Sequence, residues 1–342
     1  MLRIGILGAN GQVGTEICLL LKLWPDVEVT AFCRNPASSV VLRRLGIECV
    51  HGDVSSQQAG TTLSQMDAIV DFALPQGSYA SVVAAYRRIY ASVFAGLPKQ
   101  VAYVLASSQM ALGFGGETQR IGRYWFPRTV YGATKRFSER CAKSHADANG
   151  NPLYILRLAQ VHGLIQGCSL SMKQIAQQHK SFRVYAGPSY TVFCYTIAEA
   201  IVNIARGIES TGTYTLDSSP PWTWMEVLNL LANREIQCHE MPPPVRTSLS
   251  SWIGSSLQRH KEPVQANVLK WFPRLESKLR YTNRRNQIRS AFRSLDSQGE
   301  FVLDSGWGKL PGRRLIHLTD SRQTMQSYWD KCAECLKSIA DA

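Results

Sequence analysis

The sequence predicts an α/β protein: a doubly wound parallel sheet followed by a smaller C-terminal α/β region. Three observations predict it. Over the first 160 residues, short apolar runs alternate with longer amphipathic ones. A glycine-rich turn follows the first apolar run directly. After about residue 160 the alternation loosens, and Met241-Pro242-Pro243-Pro244 breaks the chain most clearly.

The elements follow in order. Met1-Leu2-Arg3-Ile4-Gly5-Ile6-Leu7 leads straight into glycine and lacks the long apolar core and cleavage site of a leader peptide, so residues 3–7 read as a buried first strand. A helix is expected over about 12–23. Further strands are expected at 27–33, 47–51, 68–72, 101–107 and 153–158, with helices at about 37–45, 78–95 and 129–147 between them. Right-handed crossovers would cover such a sheet on both faces, with ligands at the carboxyl ends of the strands. Beyond 160 the expected elements are a helix at 169–179, a strand at 182–185, a helix at 196–206 and a strand at 212–217. Thr223 is placed to cap another helix, and Glu226 three residues later completes a capping box. Gly and Pro punctuate 306–312, and a last helix is expected near 320–340. The division that results is 1–165 for nucleotide binding and catalysis, and 166–342 for substrate binding with a basic, helix-prone tail.

Composition narrows the class. The chain has 342 residues, 45% of them hydrophobic, which is ordinary for a globular protein. It has no run of 18 or more apolar residues, so no membrane span is expected. Nine cysteines lie scattered without a framework spacing, which suggests reduced thiols and a cytoplasmic setting. Cys332-Ala333-Glu334-Cys335 lacks the second ligand pair that zinc needs, so no metal is expected. The net charge is +13, and the stretch 259–293 carries ten Lys/Arg against two Glu. That stretch reads as a solvated basic face, or as attraction for an anionic substrate or partner such as a diphosphate, a carrier phosphopantetheine or an acidic surface. Nucleic acid is disfavoured, because no aromatic stacking motif or helix-turn-helix accompanies the charge.

Two motifs carry the chemistry. The first is Gly8-Ala9-Asn10-Gly11-Gln12-Val13-Gly14, with glycines in GxxGxxG spacing between a strand and a helix. One glycine permits the turn, one admits a pyrophosphate to the backbone, and one lets the helix pack on the sheet. The helix N-terminus then offers free N–H groups to phosphate. This marks a Rossmann-type sheet binding a dinucleotide. Arg34, at the end of the second strand, would favour the 2′-phosphate of NADP, with NAD as the alternative. Asp53 is the expected partner of the adenine edge, and Val54 and Ala73 complete the expected cofactor contacts.

The second motif is Tyr131-Gly132-Ala133-Thr134-Lys135, preceded by Ser107-Ser108. Four residues apart on a helix, Tyr131 and Lys135 share a face. A free tyrosine titrates near ~10, and a neighbouring ammonium would lower that value. Lys135 could also donate to the nicotinamide ribose. Ser107 or Ser108 could hydrogen-bond the substrate oxygen.

With these residues the chain resembles an extended short-chain dehydrogenase/reductase of the NAD(P)-dependent epimerase/dehydratase family, over about residues 1–235. Val104–Gly113 is similar to the family's SSxxVYG segment, and the match gives Ser108 the catalytic position. Tyr131 and Lys135 match its catalytic tyrosine and lysine. Leu156–Gly163 is similar to its RxxNVYG segment, with Gln160 in place of the asparagine. Residues 197–201 resemble the helix after its usual Val-Asp-Asp, and Thr196 replaces the aspartate. Gln109-Met110 stands where the family's sugar dehydratases carry Asp-Glu, so acid-assisted water elimination is not expected. The resemblance also implies a homodimer paired through the helices near 78–95 and 129–147.

The function expected is NAD(P)-dependent oxidation or reduction at a secondary alcohol or ketone, on a sugar-nucleotide or similar anionic small molecule. The enzyme would be a ketoreductase or epimerase and not a 4,6-dehydratase. Two alternatives stand beside it. One is a non-catalytic NADP-binding regulator. The other is a reductase of a carrier-bound or lipid-like ketone, suggested by Trp222, Trp224, Trp252 and Trp271.

Overall fold

The computed structural model describes residues 1–54, 56–112, 129–179, 181–218, 220–242, 301–303, 318 and 322–340. Gly113, the basic stretch 259–293 with Trp252 and Trp271, and the Gly/Pro segment 306–312 lie outside the described residues.

Seven strands form the central sheet: β1 (Leu2–Leu7), β2 (Val27–Cys33), β3 (Glu48–His51), β4 (Ala68–Asp71), β5 (Ala102–Ser108), β6 (Leu153–Leu158) and β10 (Gly212–Leu216). Their order is β10-β6-β5-β4-β1-β2-β3, and every pairing is parallel. The order reverses between β1 and β4, which opens a crevice at the carboxyl ends of those two strands. Strands covered on both faces need no alternation of polar and apolar residues. Accordingly all four residues of β4 are buried, as are six of the seven in β5.

The two faces have separate cores. On one, α1 (Gln12–Lys22) packs with α7 (Cys194–Ala205) through Ile17, Leu21, Ile197 and Ile201. On the other, α3 (Gln57–Leu63), α4 (Tyr79–Gly96) and α5 (Val130–Asn149) cover Leu7, Ile69 and Leu105. This is the doubly wound arrangement that the alternation implied. β10, the edge strand beside β6, comes from beyond residue 165.

The remaining elements are smaller. β7 (Gln160–His162) pairs with β9 (Thr191–Phe193), and β8 (Ser181–Tyr185) lies between β11 (Gln237–Met241) and β12 (Phe301–Leu303). α6 (Gly167–Gln178) and α8 (Trp224–Ala232) accompany them. The capping box on α8 is present: Glu226 N–H donates to Thr223 Oγ1 at 3.3 Å, and Thr223 N–H donates to Glu226 Oε2 at 2.8 Å. α9 (Arg322–Ala340) is seated on α1 and α7, where Trp24 stacks on Tyr195 and Tyr328 with centroids 5.5 and 4.7 Å apart. Cys332 of this helix is buried and its thiol is pushed up to about 12 by that burial, so the CxxC pair includes an inert thiol. None of the described helices is long and apolar enough to cross a membrane.

Three differences from the expected elements have physical causes. The helix expected at 37–45 is split. Asn35 Oδ1 accepts from Ser38 N–H at 2.9 Å and Pro36 follows, so a 3₁₀ turn (Pro36–Ser39) precedes α2 (Val40–Arg44). α7 starts two residues earlier than expected and is buried through Ile204, because it lies between the sheet and α1 and α9. α3, β7 and β9 are too short to impose a period on the sequence, and β11 is mostly polar and exposed, with no apolar run to mark it.

Candidate active site

The glycine turn is shaped by contacts that no side chain could share. Gly8 has φ +70°, and a Cβ there would lie 2.7 Å from Ala73 N and from Phe72 C. The turn after β1 therefore presses against the turn after β4. A Cβ on Gly14 would run into the Gly8 carbonyl oxygen, with Ala9 Cα 2.9 Å away. Gly14 thus lets α1 begin directly against the strand end. Gly11 N–H donates to Gly8 O at 3.1 Å, and no side chain caps α1. The first N–H groups of the helix, at Gln12, Val13 and Gly14, have no intrahelical acceptor. Asn10, Gly11 and Gln12 are exposed, and Val13 is half-buried. A bare turn with open N–H groups at a helix start fits a pyrophosphate.

The other expected cofactor residues line the same edge of the sheet. Arg34 is exposed at the end of β2. Asp53 is exposed and Val54 half-buried after β3. Ala73 is half-buried after β4, with its N–H donating to Asp71 Oδ1 at 2.8 Å.

The proton-transfer residues meet where β5 ends and α5 begins. Thr129 caps α5, accepting from Gly132 N–H at 2.9 Å, so Tyr131 falls in the first helical turn. A Cβ on Gly132 would strike the Met110 carbonyl oxygen. That glycine lets α5 close on the 3₁₀ turn (Gln109–Leu112) after β5. The result places the Ser108 hydroxyl in hydrogen-bond reach of Tyr131. Ser108 Oγ also accepts from Met110 N–H at 3.2 Å. Tyr131 is 39% exposed.

The two serines are sorted by what they touch. Ser107 faces inward and donates to Glu139 Oε1 at 2.6 Å. Glu139 is also held by Arg157, whose Nε and Nη2 donate to its two oxygens at 2.9 and 2.7 Å. Ser107 is thereby engaged in a buried ion pair, and Ser108 is the serine beside Tyr131.

Lys135 departs from the expected geometry. It is only 5% exposed, and its Nζ donates to the Ala106 carbonyl at 2.8 Å. Burial pulls its ammonium below the usual lysine range, and Asp71 and Glu139 push it back up. Tyr131 is raised above the ordinary tyrosine range by burial, opposed by Ser108. The expected lowering of Tyr131 by Lys135 is therefore not found in this arrangement. The Lys135 ammonium is turned inward to the Ala106 carbonyl, and burial dominates at Tyr131.

Sequence reasoning missed Asp71, Glu139 and Glu16. Asp71 closes an apolar run, and Glu139 falls one helical turn after Lys135. Both positions carried a signal: a charge where the fold expects burial. Glu16, buried on α1, accepts from Leu164 N–H at 2.7 Å, Ile165 N–H at 3.2 Å and Gln166 Nε2 at 2.9 Å. Nothing in the sequence linked residues 150 apart. Gln109 is buried with neither end of its amide hydrogen-bonded among the described residues.

Comparison with known proteins agrees with this geometry. A family model described as the NAD dependent epimerase/dehydratase family matches residues 4–184, more than half of the 342-residue chain. A search of curated protein sequences finds no match. Among solved structures, UDP-N-acetylglucosamine 4-epimerase from Bacillus cereus aligns with a TM-score of 0.52 at 16% identity, covering 71% of this chain and 86% of that one. UDP-glucuronic acid 4-epimerase from Bacillus cereus, solved with UDP-glucuronic acid and NAD, aligns with a TM-score of 0.51 at 14% identity, covering 70% and 86%. At those identities the likeness establishes the fold. Together with the family match, it places the chain in the NAD dependent epimerase/dehydratase family, as a nicotinamide-dependent enzyme of the extended short-chain dehydrogenase/reductase type.

Proposed function

We propose that the protein is an NADP-dependent ketoreductase acting on a small anionic substrate, a sugar nucleotide or a molecule of similar charge. The placement of Tyr131 in the first turn of α5, with its phenol within reach of the Ser108 hydroxyl at the end of β5, carries this reading. Residues 8–14 would hold the pyrophosphate, and the bound nicotinamide supplies hydride. Ser108 would donate to the substrate oxygen and fix the carbonyl. Tyr131 would deliver the proton to that oxygen. Lys135 would steady the base of the site by its charge. Residues from 166 onward would supply the substrate contacts, and Gln109 in place of an acid speaks against dehydration.

Reduction is the proposed direction because the exposed Arg34 cation favours NADPH, and a protonated Tyr131 can serve it. Burial raises the Tyr131 phenol, so it remains protonated through the neutral range and is set to give a proton. Ketone reduction needs that acid form. Its rate is expected to hold through neutral pH and to fall only above the usual tyrosine value of about 10. A pH–rate profile measured with NADPH and a ketone checks this. A descending limb between pH 7 and 8 would contradict the assignment.

NADP is the proposed cofactor because Arg34 is an exposed cation where an acid would otherwise read the ribose 2′-OH. The two aligned epimerase structures above do not decide the point for this chain. Arg34→Asp is expected to weaken NADPH binding about tenfold or more and to leave NADH binding within about twofold, as suits the loss of one charge-assisted contact of about 1.5–3 kcal/mol. Fluorescence titration of both nucleotides reads the result. Equal loss of both would show that Arg34 does not read the phosphate.

A further inference from the structure

We propose that Asp71 is the counter-ion of Lys135 and a positioning residue for it, holding the ammonium charged and turned to the Ala106 carbonyl beneath Ser108. The argument begins with the charges around the buried end of β5. Two carboxylates face Lys135: Glu139 from its own helix and Asp71 from the end of β4. Glu139 already has a cation of its own, since Arg157 grips both of its oxygens at 2.9 and 2.7 Å. Asp71 is 0% exposed, and its two oxygens accept from neutral donors, Ala73 N–H at 2.8 Å and Tyr103 Oη at 3.0 Å. Two N–H or O–H donors aimed at one carboxyl group favour its ionised form. An ionised carboxylate in such a place is tolerated only when paired. Among the described residues, Lys135 is the cation that faces it.

The register of the sheet supports the pairing. Asp71 stands opposite Leu105 in the β4–β5 ladder, next to the Ala106 carbonyl that Lys135 binds. The other titratable groups around Asp71 are Tyr86 and Tyr90 from α4 and Tyr103 from β5. All three phenols are pushed up by burial and by Asp71 itself, so they remain neutral and cannot replace Lys135. Burial raises Asp71 above the usual carboxylate range and lowers Lys135 below the usual lysine range, and each opposes the other's shift: Lys135, after Ala73 N–H, draws Asp71 down, and Asp71 draws Lys135 up. Charge is thus matched one to one, Glu139 with Arg157 and Asp71 with Lys135.

The proposal rests on Lys135 being the cation of the hydride-transfer site. Its test needs no turnover, so it can fail independently of that reading. In a chemical-denaturation cycle, Asp71→Asn and Lys135→Met should each lower the unfolding midpoint of the full-length protein. The double variant should recover part of the loss, because it buries neither charge alone. Additive losses would overturn the pairing. A second readout covers the chance that Lys135→Met does not fold. With ¹³Cε-lysine labelling, the Lys135 titration midpoint in Asp71→Asn should fall by about one pH unit or more. Tyr103→Phe, which removes a neutral donor and keeps the charge, should move it far less. A Lys135 midpoint unchanged in Asp71→Asn would refute the proposal.

Discussion

Replacing Tyr131 with phenylalanine is expected to lower turnover by about 10²–10⁴-fold while leaving NADPH affinity within about twofold. The substitution removes one oxygen and nothing else. That oxygen carries the phenolic proton beside Ser108 at the open end of the sheet, and burial raises the phenol above the usual tyrosine range. The pyrophosphate turn lies on other elements, at Gly8, Gly11 and Gly14. Tyr131 is 39% exposed in the first turn of α5, so its loss should cost little stability. Oxidation of NADPH with a panel of phosphorylated ketones and nucleotide sugars measures the first quantity, and nucleotide titration the second. Retained turnover would remove Tyr131 as the acid. Loss of binding and turnover together would show a structural effect instead.

What the sequence disclosed depended on how local each signal was. The first six strands of the sheet are legible as repeated short apolar runs, and each of those runs is a strand of it. The glycine turn is seven consecutive residues, and Tyr131 and Lys135 sit one turn apart on a single helix. These features need no knowledge of distant partners. The ambiguous serines needed more. Ser107 and Ser108 alternate across β5, and only the positions of Glu139 and Arg157 decide which one is already engaged. The immediate surroundings of Lys135 were hidden for the same reason. Spacing put it on the face of Tyr131, but the long side chain runs inward to Ala106 O, drawn by carboxylates from another strand and another turn. Glu16 shows the limit most plainly: its partners at 164–166 touch it in the fold but lie 148–150 residues away along the chain. A Cβ on Gly163 would overlap the carboxylate, so that glycine too is explained only in three dimensions.

Gly8→Ala is expected to cost about 2–5 kcal/mol of stability and to abolish measurable cofactor binding. Two separate penalties combine. At φ +70° an alanine is in the left-handed region, which costs roughly 1–2 kcal/mol. Its Cβ would also stand 2.7 Å from Ala73 N and Phe72 C, both backbone atoms that can yield only if β4 or its exit moves, at roughly 1–3 kcal/mol. Binding suffers beyond the stability loss, because the Gly8 carbonyl anchors Gly11 N–H at 3.1 Å and so sets where α1 begins. Shifting Gly8 therefore turns the N–H groups of Gln12, Val13 and Gly14 away from any phosphate. Gly60→Ala supplies the comparison. It sits inside α3, with nothing within 4 Å of its would-be Cβ, so alanine there should be neutral or stabilise by about 0.5–1 kcal/mol. Denaturation midpoints and NADPH titration on the two variants separate the cases. If Gly8→Ala bound cofactor like the parent, the turn after β1 would not be the pyrophosphate cradle, and the cofactor reading of residues 8–14 would fall with it.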